Sequence, residues 1–430
     1  LGISDTITTF TGLLFPVCMM GLDSAFSAFY YDEKKEQSKR VFHTILFTLV
    51  IIGCIPVLLC VFATQISYAL FHTTEYGIIV SLALLSITFN IWYMPFALNL
   101  RMKNKMLVYS LINFISSVCM VILNIIFVVC LKLGAVSLVL STFIVHVCQL
   151  VLFIYAEKVK INKQYFDGKL LKEMIKFAMP LVPGIILSWV LSLSDRYMIL
   201  YFHSTKEVGM YGVGTRLVTV LNIFISSVNL AYTTFAYGSK NDNNAKEKYI
   251  KIFDLLVLVL TIICYAASLF CKEIIFMMTA SEYHNSYVVV RDLMYAQLFY
   301  GLTSIVSYGI LFEKKSGYAL LANACGAIVN ILLNFFLIPK WGISAAAFTT
   351  LVGYFITFIC TYCFSQKFYY CEYRVKKAVL MLGTLYGISW CGLNVSFANR
   401  LVLWVITVVF VILYYRKILI ELWKALKEGK

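Results

Sequence analysis

The chain has 430 residues, of which 61% are hydrophobic and 13% are charged, and its mean hydropathy is +0.85. Soluble domains are about 45–50% apolar and about 25% charged, so this composition excludes a soluble globular protein and indicates a chain embedded in a membrane along its length. The net charge of +15 does not indicate nucleic-acid binding, because the basic residues lie in short loops between apolar segments, where they meet anionic lipid headgroups.

Thirteen apolar segments follow one another, each long enough to cross a bilayer. They cover residues 6–30, 42–71, 77–99, 107–131, 134–155, 177–202, 208–236, 250–279, 289–311, 317–338, 342–364, 378–395 and 400–415. Of the 36 lysines and arginines, 28 lie in every second connection or in the C-terminal tail. The positive-inside rule places this set and the C-terminus in the cytoplasm. An odd number of spans then predicts one more span before Leu1, which makes fourteen.

Only eight lysines and arginines lie elsewhere. Six are in the opposite connections, at Lys132, Lys206, Lys272, Arg291, Lys340 and Arg400. The other two, Arg196 and Arg216, lie inside apolar segments, where topology does not explain them.

An internal repeat predicts two parallel lobes. Residues 100–142 and 311–350 both contain a short basic loop, a span with asparagines, a turn with lysine and glycine, and a span rich in small residues. Gly134 matches Gly342, and such parallel repeats are common in secondary transporters. The predicted all-α organisation is an N-lobe at 1–156, a cytoplasmic linker at 157–173, a C-lobe at 174–366, and two additional spans with a cytoplasmic tail at 367–430.

Charged residues within the spans are the first candidates for a site, because burying a charge in a bilayer is costly. Asp195, Arg196 and Arg216 lie on two consecutive spans, with both arginines roughly 9–12 Å below the outer surface. Two guanidinium groups that face one cavity would suit a phosphate or pyrophosphate. The alternative is that Asp195 neutralises one arginine and only locks the helical hairpin.

Two further residues are weaker candidates. Asp23 lies near the inner end of the first span, as a candidate gate residue or as an interfacial carboxylate that reaches water. His146 lies near mid-membrane beside Gln149, where it would carry a coupling proton or form a hydrogen bond between helices. The sequence indicates no cofactor and no metal site, and leaves H⁺ or Na⁺ as the candidate coupling ion.

The sequence favours a transporter over an enzyme. It contains no phosphate-binding loop, zinc motif or nucleophile constellation, and its outer loops are short. A membrane polysaccharide polymerase or glycosyltransferase, the third hypothesis, would be expected to carry a sizeable extracytoplasmic loop with catalytic residues.

Several motifs resemble those of one family of exporters. They are F-x-x-P-x-x-P from Phe177, S-x-S-D-R-Y from Ser192, E-V-G-x-Y from Glu207, and the Lys314-Lys315 pair followed by the second repeat. This set resembles the polysaccharide-exporting, Wzx-type flippases of the multidrug, oligosaccharidyl-lipid and polysaccharide exporter superfamily, over essentially the whole chain. The resemblance implies a MATE-like, fourteen-span fold of two lobes.

The resemblance also implies a function. Such a flippase moves a polyprenyl-pyrophosphate-linked oligosaccharide across the bacterial cytoplasmic membrane for capsule, O-antigen, teichoic-type or exopolysaccharide assembly, with glycan polymerase or assembly machinery as partners. Arg216 occupies the place of a cavity arginine of the lipid II flippases, whereas the repeat-related position near Thr9 has no arginine. A multidrug cation antiporter is the alternative, and it would need cavity carboxylates, for which Asp195 and Asp23 are the candidates.

Overall fold

The regular structure of the described residues is entirely helical. A computed structural model describes residues 2–31, 36–134, 136–158, 161–392, 395–416 and 419–420. Contacts between helices divide the chain into two compact units, Leu1–Ile186 and Leu187–Lys430. Parts of five predicted segments lie outside the described residues: the first basic loop at 32–35, the fifth apolar segment at 135, the linker at 159–160, the twelfth apolar segment at 393–394, and the C-terminal tail at 417–418 and 421–430.

The first unit is built around the pair of helices α6 and α8. Its helices are α1 (Gly2–Met19), α2 (Leu22–Tyr30), α3 (Gln37–Ile52), α4 (Cys54–Leu59), α5 (Ala63–Phe71), α6 (Gly77–Met102), α7 (Met106–Ile125), α8 (Val136–Glu157) and α9 (Gly168–Ala178). Val80, Ala83 and Leu84 of α6 pack with Ala63 and Val139 in a buried apolar cluster. The small residues of this cluster let the helices approach closely, as is usual in membrane bundles.

The second unit is built around α14. After α10 (Leu181–Phe202), which crosses the boundary, its helices are α11 (Thr205–Gly238), α12 (Ala245–Leu269), α13 (Cys271–Met278), α14 (Tyr287–Val306), α15 (Tyr308–Phe312), α16 (Ser316–Phe368), α17 (Val375–Gly392) and α18 (Phe397–Tyr414). α14 packs against α11, α12 and α16, and its residues from Val289 to Phe299 are all buried. α16 comprises two helices, because Gly342 interrupts it with φ 53° and ψ −135°.

The helices confirm an all-α integral membrane protein. Each predicted apolar segment coincides with helix in the described part of the chain. Eight helices or helix runs there are long and apolar enough to cross a membrane, and the bent pair Phe10–Met19 and Leu22–Tyr30 makes a ninth. The count of thirteen spans, with a fourteenth before them, stays a prediction.

One turn occurs in both units and supports the internal repeat. Asn104 and Lys314 are left-handed, with φ 58° and 54°. The backbone N–H of the next residue donates to the carbonyl five residues earlier, from Lys105 to Leu100 at 3.0 Å and from Lys315 to Ile310 at 3.1 Å.

The glycine that the two repeats share also has a positive φ. Gly134 has φ 62° and Gly342 has φ 53°. These glycines are two residues further from the shared turn in the first unit than in the second. The first unit has a π-helical turn, Ile126–Cys130, in this interval, and such a turn accommodates extra residues without ending the helix.

The first span is bent where two backbone conformations leave the helical region. Met20 has φ 50° and Gly21 has φ 67°, and the helices on either side meet at 41°. A Cβ at Gly21 would lie 3.0 Å from the carbonyl oxygen of Ala178. Glycine is therefore required at this bend both by its φ angle and by the close approach of α9.

A partly buried ion pair attaches α18 to the rest of its unit. The Arg400 guanidinium donates to both carboxylate oxygens of Glu273, one of them at 3.0 Å, and to the Leu269 carbonyl at 2.8 Å. Arg400 is buried, and this two-pronged geometry is the strong form of such a pair.

A second arginine attaches α17. The Nε of Arg291 donates to Asp292 at 2.8 Å, and the Tyr386 hydroxyl donates to the same carboxylate oxygen at 3.0 Å. The Arg291 guanidinium also lies 4.2 Å from the ring centre of Trp390, within cation–π range. Arg291 and Arg400, which the charge pattern assigned only to topology, therefore hold the two additional helices.

Candidate functional site

Asp195 is the centre of a buried hydrogen-bond cluster in the second unit. It lies on α10, and only 4% of its surface is exposed. Its Oδ2 accepts hydrogen bonds from the Tyr211 hydroxyl at 2.9 Å and the Thr350 hydroxyl at 2.8 Å, and its Oδ1 accepts one from the Asn334 amide at 2.6 Å. These donors bring together α10, α11 and both halves of α16.

A second layer of side chains orients this cluster. The Thr349 hydroxyl donates to the Asn334 side-chain oxygen, and the Asn334 amide also lies 3.2 Å from the side-chain oxygen of Asn330. Both threonine hydroxyls also lie within 2.9 Å of the Ala346 carbonyl oxygen, one turn earlier. We call Asp195, Tyr211, Asn330, Asn334, Thr349 and Thr350 the carboxylate cluster.

The Asp195 carboxylate accepts its hydrogen bonds from neutral donors. Among the described residues, no ion pair joins it to Arg196 or Arg216, and both arginine side chains are exposed. The hydrogen bonds from Tyr211, Thr350 and Asn334 hold α10 against α11 and α16, and the roles predicted for Asp195 stay predictions. The oxygen-rich composition of the cluster suits a proton or a small monovalent cation, because neutral amides and hydroxyls can reorient around either.

Arg216 lies on an exposed side of α11. Its guanidinium has no ion-pair or hydrogen-bond partner within the described part of the chain. An arginine at membrane depth is costly without a partner, so it faces water, a ligand or headgroups. Arg196, on α10, is exposed in the same way. Both side chains are thus available to an anionic group.

The two weaker candidates lie in the first unit. His146 has Nδ1 at 2.8 Å from the Ser86 hydroxyl and at 3.0 Å from the Ser86 carbonyl oxygen, which fits a hydrogen bond between α6 and α8. Asp23 is half-buried in the first turn of α2, directly after the bend, and its backbone carbonyl accepts a hydrogen bond from Ser27. Their predicted roles in coupling and gating stay predictions.

Sequence reasoning missed part of the carboxylate cluster. Asn330 and Asn334 stood out as polar residues within a span, but Tyr211, Thr349 and Thr350 did not. The available signal was a pair of threonines that follows the alanine run 345–347. These threonines lie on the predicted span directly after the one that carries the two asparagines. Within the described residues, no group of three histidine, cysteine or acidic residues has the arrangement of a metal site.

The fold is that of a known class of membrane transporter. A multidrug-resistance MATE family transporter of the MOP superfamily, in an outward-facing conformation, matches with a TM-score of 0.74 at 14% identity, covering 87% of each chain. The Vibrio cholerae MATE transporter VcmN matches with a TM-score of 0.67 at 17% identity, covering 85% of this chain and 86% of that one. The protein is therefore a multi-pass membrane protein with the MATE fold, as the sequence predicted.

The sequence comparisons identify the family. A family model described as "Polysaccharide biosynthesis protein" matches residues 1–288. The chain belongs to this family, which confirms the resemblance drawn from its motifs. An uncharacterized membrane protein of Methanocaldococcus jannaschii is 26% identical over 228 residues, and the match covers 51% of this chain and 44% of that relative. The chain thus matches less than half the length of that curated relative.

Proposed function

We propose that the protein is a flippase that translocates a polyprenyl-pyrophosphate-linked oligosaccharide across the cytoplasmic membrane by alternating access. The observation that carries this proposal is Arg216, an unpaired guanidinium at membrane depth in a transporter of a polysaccharide biosynthesis family. A pyrophosphate is the charged part of such a lipid, and arginine binds it through paired hydrogen bonds. Arg196 is the second candidate contact for the same group.

The cellular setting completes the proposal. The membrane is the bacterial cytoplasmic membrane, with the basic loops and the C-terminus inside. The glycan would serve capsule, O-antigen, teichoic-type or exopolysaccharide assembly, and polymerase or assembly proteins would receive it at the outer leaflet.

A translocation assay tests the function. The purified protein is reconstituted into vesicles together with the lipid-linked glycan, which is extracted from cells that lack the protein. A glycosidase added outside the vesicles cleaves only the glycans that it can reach. We expect the protein to render the inward-facing glycans accessible. Leakage is measured in vesicles with and without the protein and should be equally low in both. Inward-facing glycans that stay protected in the vesicles with the protein would contradict the proposal.

We also propose that Asp195 is the coupling residue, through a proton or a monovalent cation. Its carboxylate is buried, forms no salt bridge with a described residue, and joins three helices through neutral donors. Binding or release of one positive charge there changes which hydrogen bonds the carboxylate can accept. Asp195→Asn, which keeps the shape and removes the charge, should abolish the dependence of translocation on a pH gradient or a Na⁺ gradient. Whichever gradient drives the wild type identifies the ion, and a variant that still responds to it would exclude Asp195.

A multidrug cation antiporter is the second candidate, because the matched solved structures include multidrug transporters and because Asp195 is an intramembrane carboxylate. Deleting the gene separates the two functions. Loss of surface polysaccharide with unchanged drug susceptibility supports the flippase, whereas increased susceptibility to cationic drugs with normal polysaccharide supports the antiporter.

A further inference from the structure

Tyr300 interrupts an otherwise buried stretch of α14. Every other residue from Val289 to Leu302 is buried, whereas Tyr300 is 40% exposed. A helix that faces lipid exposes side chains at every turn, so one open side chain in a buried helix indicates an opening within the protein. Tyr300 also lies well inside the span, away from the interfaces where membrane tyrosines are usual.

A second tyrosine lies against Tyr300. The ring centres of Tyr300 and Tyr354 are 5.7 Å apart and their planes meet at 68°, which is an edge-to-face pair. Tyr354 is half-buried on the second half of α16, one turn after Thr350. Because Thr350 donates to Asp195, the ring pair is one helical turn from the carboxylate cluster.

A polar flank of α11 begins at Asn229, which contacts α14 one helical turn from Tyr300. Ser304, one turn after Tyr300 on α14, donates to the side-chain oxygen of Asn229. Ser226 and Asn222 continue from Asn229 along one flank of α11, over about 10 Å, and both are exposed. Exposed amide and hydroxyl groups are unfavourable against hydrocarbon, so this flank faces water or a polar ligand.

We propose that Tyr300 and Tyr354 form a stacking platform for a sugar ring of the transported glycan, with Asn222, Ser226 and Asn229 binding its hydroxyl groups. Aromatic faces pack against the C–H faces of a sugar, and amides both donate to and accept from hydroxyls. This inference rests on the proposed function and adds the place where the glycan, as distinct from the pyrophosphate, is recognised.

The platform is tested by comparing two lipids. The probes are the lipid-linked glycan from cells that lack the protein, and undecaprenyl pyrophosphate without sugar, with binding measured by tryptophan fluorescence of the detergent-solubilised protein. Tyr300→Leu should weaken binding of the glycan-carrying lipid by about five- to tenfold, while affinity for the bare lipid changes by less than about twofold. Tyr300→Phe, which keeps the ring, should stay close to the wild type.

Matched variants make the test specific. Tyr414, 45% exposed on α18 and in an edge-to-face pair with Tyr415 at 5.0 Å, provides the control Tyr414→Leu, which should bind both lipids normally. Asn222 is exposed, so Asn222→Ala should leave the stability of the protein unchanged. It should still show the selective loss of affinity for the glycan-carrying lipid, even if Tyr300→Leu lowers stability.

Four outcomes distinguish the proposals. Selective loss for the glycan-carrying lipid in both Tyr300→Leu and Asn222→Ala supports the platform. Equal loss of affinity for both lipids would assign the ring pair to binding of the lipid chain and would overturn the platform. Unchanged affinity for both lipids would also overturn it. A wild type that binds neither lipid contradicts the proposed function itself.

Discussion

The side-chain amide of Asn334 donates to Asp195 Oδ1 at 2.6 Å and accepts a hydrogen bond from Thr349 through its oxygen. An amide has one donor end and one acceptor end, so the threonine fixes the NH₂ group toward the carboxylate. Asn334 thereby connects α10 with both halves of α16. A change in the charge of Asp195 would therefore act on both halves of α16, through Asn334 before the break at Gly342 and through Thr350 after it.

The first prediction concerns that connection. Asn334→Leu keeps a similar volume but removes a donor from a buried carboxylate and leaves the Thr349 hydroxyl only the Ala346 carbonyl as acceptor. We expect a loss of about 1–3 kcal/mol in the free energy of unfolding, seen as a lower melting temperature in detergent. Asn222→Leu, at an exposed position on α11, should change this free energy by less than about 0.5 kcal/mol. Equal shifts in the two variants would mean that the hydrogen bond contributes nothing measurable.

The second prediction concerns Arg216. Arg216→Ala should lower surface polysaccharide at least about tenfold at unchanged membrane abundance, because one charge-assisted contact with the pyrophosphate is lost. Arg216→Lys should restore part of the export, since it keeps the charge but loses the paired geometry. Lys206→Ala, ten residues earlier on the same helix, is the control and should export normally. Normal export by Arg216→Ala would remove this residue from the site.

Local features of the sequence predicted the helices and the repeat. Hydropathy and alternating loop charge depend on the nearest twenty residues or so, and both follow from the bilayer thickness. The glycines at 134 and 342 were recognised from the sequence alone, and their positive φ angles explain why the repeat retains them.

The partners of buried charges could not be predicted in the same way. Asp195 takes its donors from residues 16, 139 and 155 positions away, which the packing of α10 against α11 and α16 decides. Glu157 was assigned to the start of the linker, yet it is buried at the end of α8 and accepts a hydrogen bond from Asn99 at 2.7 Å. A charged residue beside a basic loop looks the same in sequence whether it faces water or a neighbouring helix.

The third prediction concerns the attachment of α18. Arg400→Met leaves Glu273 without its partner in a partly buried place, and should cost about 3–5 kcal/mol of stability. The double variant Arg400→Met with Glu273→Met should recover most of this loss, because no unpaired charge remains. As a control, Lys248→Met breaks the exposed pair with Asp242 and should cost less than about 1 kcal/mol. A double variant as unstable as Arg400→Met alone would show that the pair is not what holds α18.

The last prediction uses two glycines on the first half of α16. A Cβ at Gly326 would lie 2.5 Å from the backbone oxygen of Gly353 and against Thr357, whereas a Cβ at Gly317 would meet no atom within 4 Å. Gly326→Ala should therefore separate the two halves of α16 and cost about 1–3 kcal/mol. Gly317→Ala should stabilise the protein by about 0.5–1 kcal/mol, since alanine is the better helix former.

The opposite signs make this pair informative, because detergent and expression affect both variants alike. Gly326 also packs beside Asn330 of the carboxylate cluster through Gly353, so Gly326→Ala should slow translocation more than its melting temperature alone explains. Melting curves and translocation rates measured on the same preparations check both expectations. If the two alanine variants shift the melting temperature in the same direction, the close contact between the halves of α16 is not the reason for a glycine at position 326.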